Sequence, residues 1–512
     1  MEWRTNPRTA RGFKGRGGGR WGVMPTPPWW RGTSVQVCGL WPFAGGSSRP
    51  AMGVPVGQDI ITGTTVCCDG ITWFRHGLIS TPSIFVFGLP GFGKSTFVVR
   101  QIVGAAAMGT VPVVCGDLKP DYSAVIEALG GTVVRAGGPD DRMNPLDLGA
   151  LAEAADRLQG RAREDLRTVA VDRCTQTTAA LLSIARGSTL LEAEEITLRT
   201  AIRLLHDTRP SPGRDADGEA PTLADLLALL ENPRPELVHA LRAEDVAAFK
   251  RETRHLTLSV ASVIDGRLGP TFNGQTTQRL RLDAPALSID ISAVRDRPNA
   301  ILSAVMLTAW SEAFAAIEAA NALADAGVAP QRSFLTVMDE MWRPMGLPGV
   351  GLVDRMNSLT RLNREDGVSY IFISHSMKDL ESMESAADVQ KARGFVERAQ
   401  IVATFALGAD DLEALSRVKK LSAAEIATVA GWSTPPGWEP QMIKNPHTGE
   451  EKPAPPPDAG KVLIKVAGRA GVATQVAMSA AELSLHDTNH RWNRGGTTIV
   501  ALPDAGVAEG VA

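Results

Sequence analysis

A chain of 512 residues has room for about three domains of ordinary size, and 44% hydrophobic against 21% charged residues is a globular balance, neither disordered nor fibrous. The net charge of −3 excludes a body coated with cations, so any grip on nucleic acid in the folded part has to be a local stripe or pore. Five cysteines with no CxxC pair and no Cys/His ligand spacing supply neither a disulfide framework nor a zinc site, and reduced thiols are expected.

Residues 1–31 are glycine-rich and hold seven Lys/Arg against one acidic residue, Glu2. Such a segment buries too little apolar surface to offset its backbone entropy, so a disordered basic tail is expected. Residues 32–82 carry short β-rich runs at 34–41, 59–68 and 71–74 between Gly/Pro turns, and 84–87 reads as a core strand. Within 83–150 a helix, a strand at 111–114, a helix at 122–129 and a strand at 132–134 form a parallel α/β pattern, the first half of a core. Residues 151–267 turn rich in Ala, Leu, Arg and Glu with helical spacing and read as an all-helical insertion.

The second half of the core is expected over 268–433, with strands at 279–282, 286–291, 334–338 and 369–373 and a long helix from 299 to about 325. A proline-rich loop at 434–460 leads to a hairpin at 461–480 (strands 461–467 and 472–478), and 481–512 is left as a tail. No apolar run reaches the length of about eighteen residues that a membrane span needs, because 300–310 stops at Ser311 and Glu312. With no apolar leader either, a cytoplasmic chain that reaches a membrane only through partners is expected.

Chemistry enters at Gly88–Ser95, which fits G-x-x-x-x-G-K-S between the strand at 84–87 and a helix starting near Thr96. Gly88, Gly91 and Gly93, with Pro90 and Phe92 between them, allow backbone N–H groups to wrap a phosphate. Thr96 continues into the helix, whose N-terminus favours an anion. Lys94 is placed to reach the β- and γ-phosphates of ATP, and Ser95 to ligate Mg²⁺. The apolar strand at 334–338 runs into Asp339 and Glu340, a carboxylate pair at the strand edge where α/β sheets bind ligands. Asp339 is assigned to the Mg²⁺ shell and Glu340 to polarising the attacking water. The two motifs lie about 250 residues apart, more than a compact core needs, which is why the helical block reads as inserted between core strands.

Further segments follow in a recognisable order. Gly116, Asp117, Lys119, Asp121 and Tyr122 follow the second strand, and Asn144, Pro145, Leu146 and Asp147 stand together. The run from Leu287 through Asp290 to Ser292 precedes the long helix, and Trp342 closes the Asp339–Glu340 motif. Over about residues 80–480 this combination resembles the HerA–FtsK class of hexameric motors, and within it the conjugative type IV secretion ATPases of the VirB/TraC kind. The resemblance implies a P-loop (RecA-like, ASCE) α/β core with a mostly parallel sheet, working as a homo-oligomeric ring.

It also implies two more site residues. Arg364 is expected to reach into a neighbouring subunit's ATP site, with Arg361 as the lesser candidate. Leu352, Met356, Leu359 and Asn363 share one helical stripe that leaves both arginines pointing away from it. At the end of the strand at 369–373, His375 stands where such motors place a γ-phosphate sensor, usually Gln. The implied function is a motor coupling Mg·ATP hydrolysis to substrate transfer by a conjugative apparatus, with membrane-channel components as partners and DNA as a further candidate. Fewer than 90 residues precede the P-loop, so a separate polypeptide is expected to supply docking on the channel. A HerA-type DNA translocase and a nucleotide-controlled scaffold that does not hydrolyse are the alternatives. Trp29, Trp30, Trp73 and Trp342 read as packing anchors and Lys419 and Lys420 as a solvated face. Ser422 to Glu425 reads as a capping box, and His486 with His490 makes no metal set.

Overall fold

The computed structural model describes residues 50–208, 219–347, 367–383, 385–433, 458–466 and 468–486, Val353, and two short antiparallel strand pairs, Arg8–Thr9 with Gly12–Phe13 and Met442–Lys444 with Glu451–Pro453. The remainder of the basic N-terminal segment, the run at 34–41, Trp29, Trp30, Cys38, the arginines Arg361 and Arg364 with their stripe, most of 434–457, His490 and 487–512 lie outside the described residues. The chain divides into two units, Met1–Ser48 and Arg49–Ala512.

The larger unit is organised by an eleven-stranded sheet. In chain order its strands are β1 (Pro55–Asp59), β2 (Thr65–Cys67), β3 (Ser83–Phe87), β4 (Thr110–Asp117), β5 (Thr132–Arg135), β6 (Leu287–Asp290), β7 (Ser333–Met338), β8 (Val368–Ser374), β9 (Ile401–Thr404), β10 (Lys461–Val466) and β11 (Val472–Val476). They lie side by side as β2-β1-β11-β10-β9-β3-β8-β7-β4-β6-β5. Pairing is parallel from β9 to β5 and antiparallel from β2 to β9. This is the mostly parallel α/β sheet expected from the sequence.

β3, β4 and β8 are buried at every position, which is why their apolar residues fall on both faces with no alternation. Phe85 and Phe87 enter the core on one face, stacked at 4.4 Å, while Ile84 and Val86 enter the core on the other. Helix α2 (Lys94–Ala107) follows β3, and α3 (Ser123–Ala128) follows β4. From Gly149 to Phe272 the described chain is helical, led by α4 (Gly149–Arg157), α5 (Gly160–Arg186) and α6 (Glu192–Thr208). The joint between this block and the sheet is the Asn144–Asp147 segment. The Asn144 side chain donates to Pro221 O (2.9 Å), Pro145 O accepts from Cys174 Sγ (3.2 Å), and Asp147 pairs with Arg279 at 2.7 Å.

Several sequence expectations need correction. The run at 59–68 is not one strand: β1 ends at Asp59, Gly63 N–H closes a turn on Asp59 O (2.8 Å), and β2 takes up only Thr65–Cys67. Residues 71–74 are not a strand but part of α1 (Gly70–Arg75), nucleated because Asp69 caps it by accepting Thr72 N at 2.6 Å. Residues 279–282 form no strand, since Arg279 is drawn to Asp147 and the Leu282 carbonyl to Arg332. The last concerns α7 (Asn299–Asp325), the long helix expected there, whose apolar stretch does not stop at Ser311 and Glu312 and is long and apolar enough to cross a membrane. It is a core helix instead, with 83% of its most apolar window buried inside the protein. Ser311 is tied to Thr177 of α5 (Oγ to Oγ1, 2.7 Å), so the polar residues at its middle face the helical block.

The four described cysteines, Cys67, Cys68, Cys115 and Cys174, are buried free thiols. Ser422 and Glu425 do form a capping box, at the start of α9 (Ala423–Gly431).

Candidate nucleotide site

Parallel strands in register bring their C-terminal ends to one edge of the sheet. Ser374 of β8 pairs with Phe87 of β3, and Phe372 with Met338 of β7, so the residues following these three strands emerge together. Those residues are Gly88, His375 and Asp339.

Gly88 to Gly93 is the loop. Gly88 (φ +156°), Gly91 (φ +84°) and Gly93 (φ +102°) take backbone angles that side chains strain to adopt. A Cβ on Gly88 would fall 2.5 Å from that of Phe405, and one on Gly93 would fall 3.1 Å from Gly460 Cα. The loop is stitched down on both sides, Leu89 N–H donating to Ala406 O (2.9 Å) and Gly460 N–H to Phe92 O (2.9 Å). Pro90 and Gly91 are exposed at its tip, Phe92 is half-buried against both faces of the core, and Thr96 is half-buried on the first turn of α2.

Lys94 opens α2 with its side chain buried. The amine donates to Gly88 O (2.5 Å) and Leu89 O (3.2 Å) and lies 3.1 Å from His375 Nδ1. Burial lowers its pKa to about 8, against the pull of Asp339 and Glu340, which favour its charge. Ser95 Oγ donates to Asp121 Oδ2 at 3.2 Å. Asp121 belongs to the turn after β4, held by the buried Asp117, whose carboxylate accepts the backbone N–H groups of Asp121 (3.0 Å), Tyr122 (2.9 Å) and Ser123 (3.0 Å).

The same turn aims the buried Tyr122, whose hydroxyl donates to Asp339 Oδ2 at 3.1 Å. Burial, then the neighbouring Glu340, pushes the Asp339 carboxyl up to about 6. Glu340, 3% exposed, has φ +52°, a left-handed conformation costing a non-glycine residue about 1 kcal/mol or more. Its Oε1 lies 2.9 Å from His375 Nε2 and 3.4 Å from Lys119 Nζ, and its Oε2 accepts from Trp342 Nε1 at 2.8 Å. Burial would raise this carboxyl, yet the hydrogen bond from His375 and the cations Lys119 and Arg343 outweigh it and hold it down at about 2.

His375 is itself oriented by its backbone. Asp379 Oδ2 accepts from His375 N (3.1 Å) and Ser376 N (2.9 Å) in a capping box at the helix Met377–Glu381. The imidazole thus bridges Lys94 and Glu340, with Nδ1 accepting from the amine and Nε2–H donating to the carboxylate.

Lys94, Ser95, Asp339, Glu340 and His375, widely spaced in the sequence, therefore stand in one connected network. Reading the sequence alone gave no role to Asp121, Tyr122 or Lys119, although their segment contributed to the resemblance; Trp342 does pack against the core as expected, and in addition hydrogen-bonds Glu340. His486, set aside as a metal ligand, has Nδ1 3.4 Å from Asp121 O. Among the described residues no group of three or more His, Cys, Asp or Glu converges as a metal cluster.

No family model and no curated protein matches this chain. Among solved structures it is similar to VirB4 of Thermoanaerobacter pseudethanolicus, at 17% identity and a TM-score of 0.61, over 85% of this chain and 100% of that one. A looser likeness, at 12% identity and a TM-score of 0.45, is to the plasmid coupling protein TrwB in complex with the ATP analogue ADPNP, over 90% of this chain and 97% of that one. The first of these establishes the architecture: this chain has the P-loop fold of VirB4, and the resemblance carried by its motifs holds at the level of fold.

Proposed function

We propose that the chain is an ATP-hydrolysing motor of a conjugative DNA-transfer or type IV secretion-like apparatus, working as a ring of identical subunits. The observation that carries this reading is the meeting of Lys94 and Ser95 with Asp339, Glu340 and His375 at one sheet edge. The loop N–H groups from Gly88 to Gly93 and the N-terminus of α2 receive the phosphates. Lys94 exchanges its carbonyl partners for the β- and γ-phosphate oxygens. One hydroxyl and one carboxylate, Ser95 and Asp339, suit Mg²⁺, which takes few protein ligands beside phosphate oxygens. The burial that raises Asp339 marks a position where a cation is welcome. When bound, the ion neutralises charge on the transferring phosphate.

Glu340 accepts the proton of the attacking water, and His375 turns its Nε2–H from Glu340 to the γ-phosphate. Arg364, outside the described residues, is assigned to the neighbouring subunit's site. The partners in this reading are further copies of the chain, membrane-channel components of the apparatus, and DNA as cargo. The chain would act in the cytoplasm at the inner face of the membrane.

ATPase rates with and without DNA, for wild type, Lys94→Ala and Glu340→Gln, test this. The lysine variant should lose nucleotide binding, whereas the glutamine variant should bind ATP and not turn it over. Equal rates for wild type and Glu340→Gln would overturn the reading.

A further inference from the structure

Two residues apart in sequence do not normally face one another, yet Trp342 hydrogen-bonds the side chain of Glu340. The left-handed backbone at Glu340 makes this possible. With φ at +52° the chain turns back after β7, and Arg343 N–H donates to Glu340 O at 3.0 Å, closing the turn. The indole is fixed from two directions. It lies on the short helix α8 (Trp342–Met345), whose Pro344 and Met345 are buried, and the Arg343 guanidinium stacks over its ring at 5.5 Å.

The two oxygens of Glu340 then have different kinds of partner. Oε1 faces His375 and Lys119, both on segments that border the phosphate site. Oε2 is held by the indole N–H two residues along the same turn, with Arg343 Nε of that turn 3.8 Å away, and neither of these groups can accept a proton. From this asymmetry we propose that Trp342 is a positioning residue for hydrolysis: its indole N–H fixes Oε2 so that Oε1, uncovered when His375 turns to the γ-phosphate, is the atom that takes the water's proton. This rests on the ATPase reading above. In that step an O–H bond of water breaks and its proton goes to Oε1. The water oxygen bonds the γ-phosphorus, and the bond to the β–γ bridging oxygen breaks, its electron pair leaving with ADP.

The test is Trp342→Phe in the full chain, which keeps an aromatic ring and removes the donor. The expected result is a kcat lower by about 10- to 100-fold, the effect of losing a hydrogen bond to a charged group, with KM and ATP affinity within about twofold of wild type. In a Glu340→Gln background the same substitution should remove no further activity, because Trp342 acts through that carboxylate. Trp342→His, which restores a ring N–H, should recover part of kcat. An unchanged kcat in Trp342→Phe would overturn the assignment, as would an equal further loss in the Glu340→Gln background. Losses in both Trp342 variants that follow a lowered melting temperature would overturn it in favour of packing alone. If wild type hydrolyses ATP, Glu340→Gln does not, and Trp342→Phe is fully active, only this inference fails. If Glu340→Gln matches wild type, the ATPase reading falls and this inference with it.

Discussion

The P-loop allows two costs that usually arrive together to be separated. Gly88→Ala places a Cβ 2.5 Å from Phe405 Cβ and 3.3 Å from its Cα, whereas Gly91→Ala meets nothing within 4 Å, and both residues have positive φ. The Gly91 variant should therefore suffer the backbone term alone, about 1–2 kcal/mol. The Gly88 variant carries that term and an overlap of about 1 Å relative to normal carbon contacts, which adds about 1–3 kcal/mol. Trimming the Phe405 ring cannot relieve the overlap, because the clash is with its Cβ. Phe405 can move only by disturbing its edge contact with Phe97 and its N–H bond to Phe87 O (2.8 Å), and with them the seam between β3 and β9. Denaturant midpoints for both variants give the two stabilities, and titration with ATP gives the affinities. We expect Gly88→Ala to be the less stable by at least about 1 kcal/mol and to bind ATP at least tenfold more weakly than Gly91→Ala. Equal stabilities would refute the steric argument and leave conformation as the only demand on Gly88.

Two further predictions concern buried charge. Burial pushes the Asp117 carboxyl up to about 7 against the hydrogen bonds that favour its anion, so the folded chain binds this proton more tightly than the unfolded one. The resulting stability is fully present below about pH 4 and is lost as pH rises through about 7. Asp117→Asn, which does not titrate, should therefore gain on wild type by up to roughly 4 kcal/mol between pH 4 and pH 8, read from unfolding at several pH values; a constant difference would contradict this. Lys465 and Glu425 pair at 2.8 Å with side chains 9% and 11% exposed, tying β10 to α9. Glu425→Ala, by stranding the ammonium, should cost about 3 kcal/mol, and adding Lys465→Met should return part of it, as a double-mutant cycle would report.

What was legible in the sequence was whatever a contiguous pattern encodes. The loop glycines and Lys94 announce a phosphate cradle because backbone freedom and charge are local properties. The helix at 299–325 was read at its observed limits because apolar residues and alanine persist through it. The failures arose where a side-chain hydrogen bond, near or distant in the chain, decided the outcome. The β-prone run at 71–74 became a helix because Asp69 caps it at Thr72 N–H and its own Trp73 is buried. Ser311 and Glu312 looked like the end of an apolar stretch, whereas the polar partner of Ser311 comes from α5. Trp342 packs against the core as expected, but its bond to Glu340 was not legible, because nothing in the sequence reveals that Glu340 adopts a positive φ and turns its carboxylate toward the indole.

The distance in sequence between the P-loop and Asp339–Glu340 is harmless to the site because of where the helical block leaves the sheet. Among the described strands β5 lies at one edge of the sheet, and the chain departs from it into the block and returns at its neighbour there, β6. The strands that carry the site, β3, β8 and β7, lie adjacent and several strands away from that edge. The block can thus grow without parting any pair of strands on which Lys94, His375 or Glu340 depends. Extending an excursion anchored at both ends costs only a slowly rising loop entropy, and the Asn144–Asp147 segment fixes the near end through Pro221, Cys174 and Arg279. An equally long insertion between β7 and β8 would have no such protection, because it would begin within a few residues of Glu340 and end at the strand that positions His375.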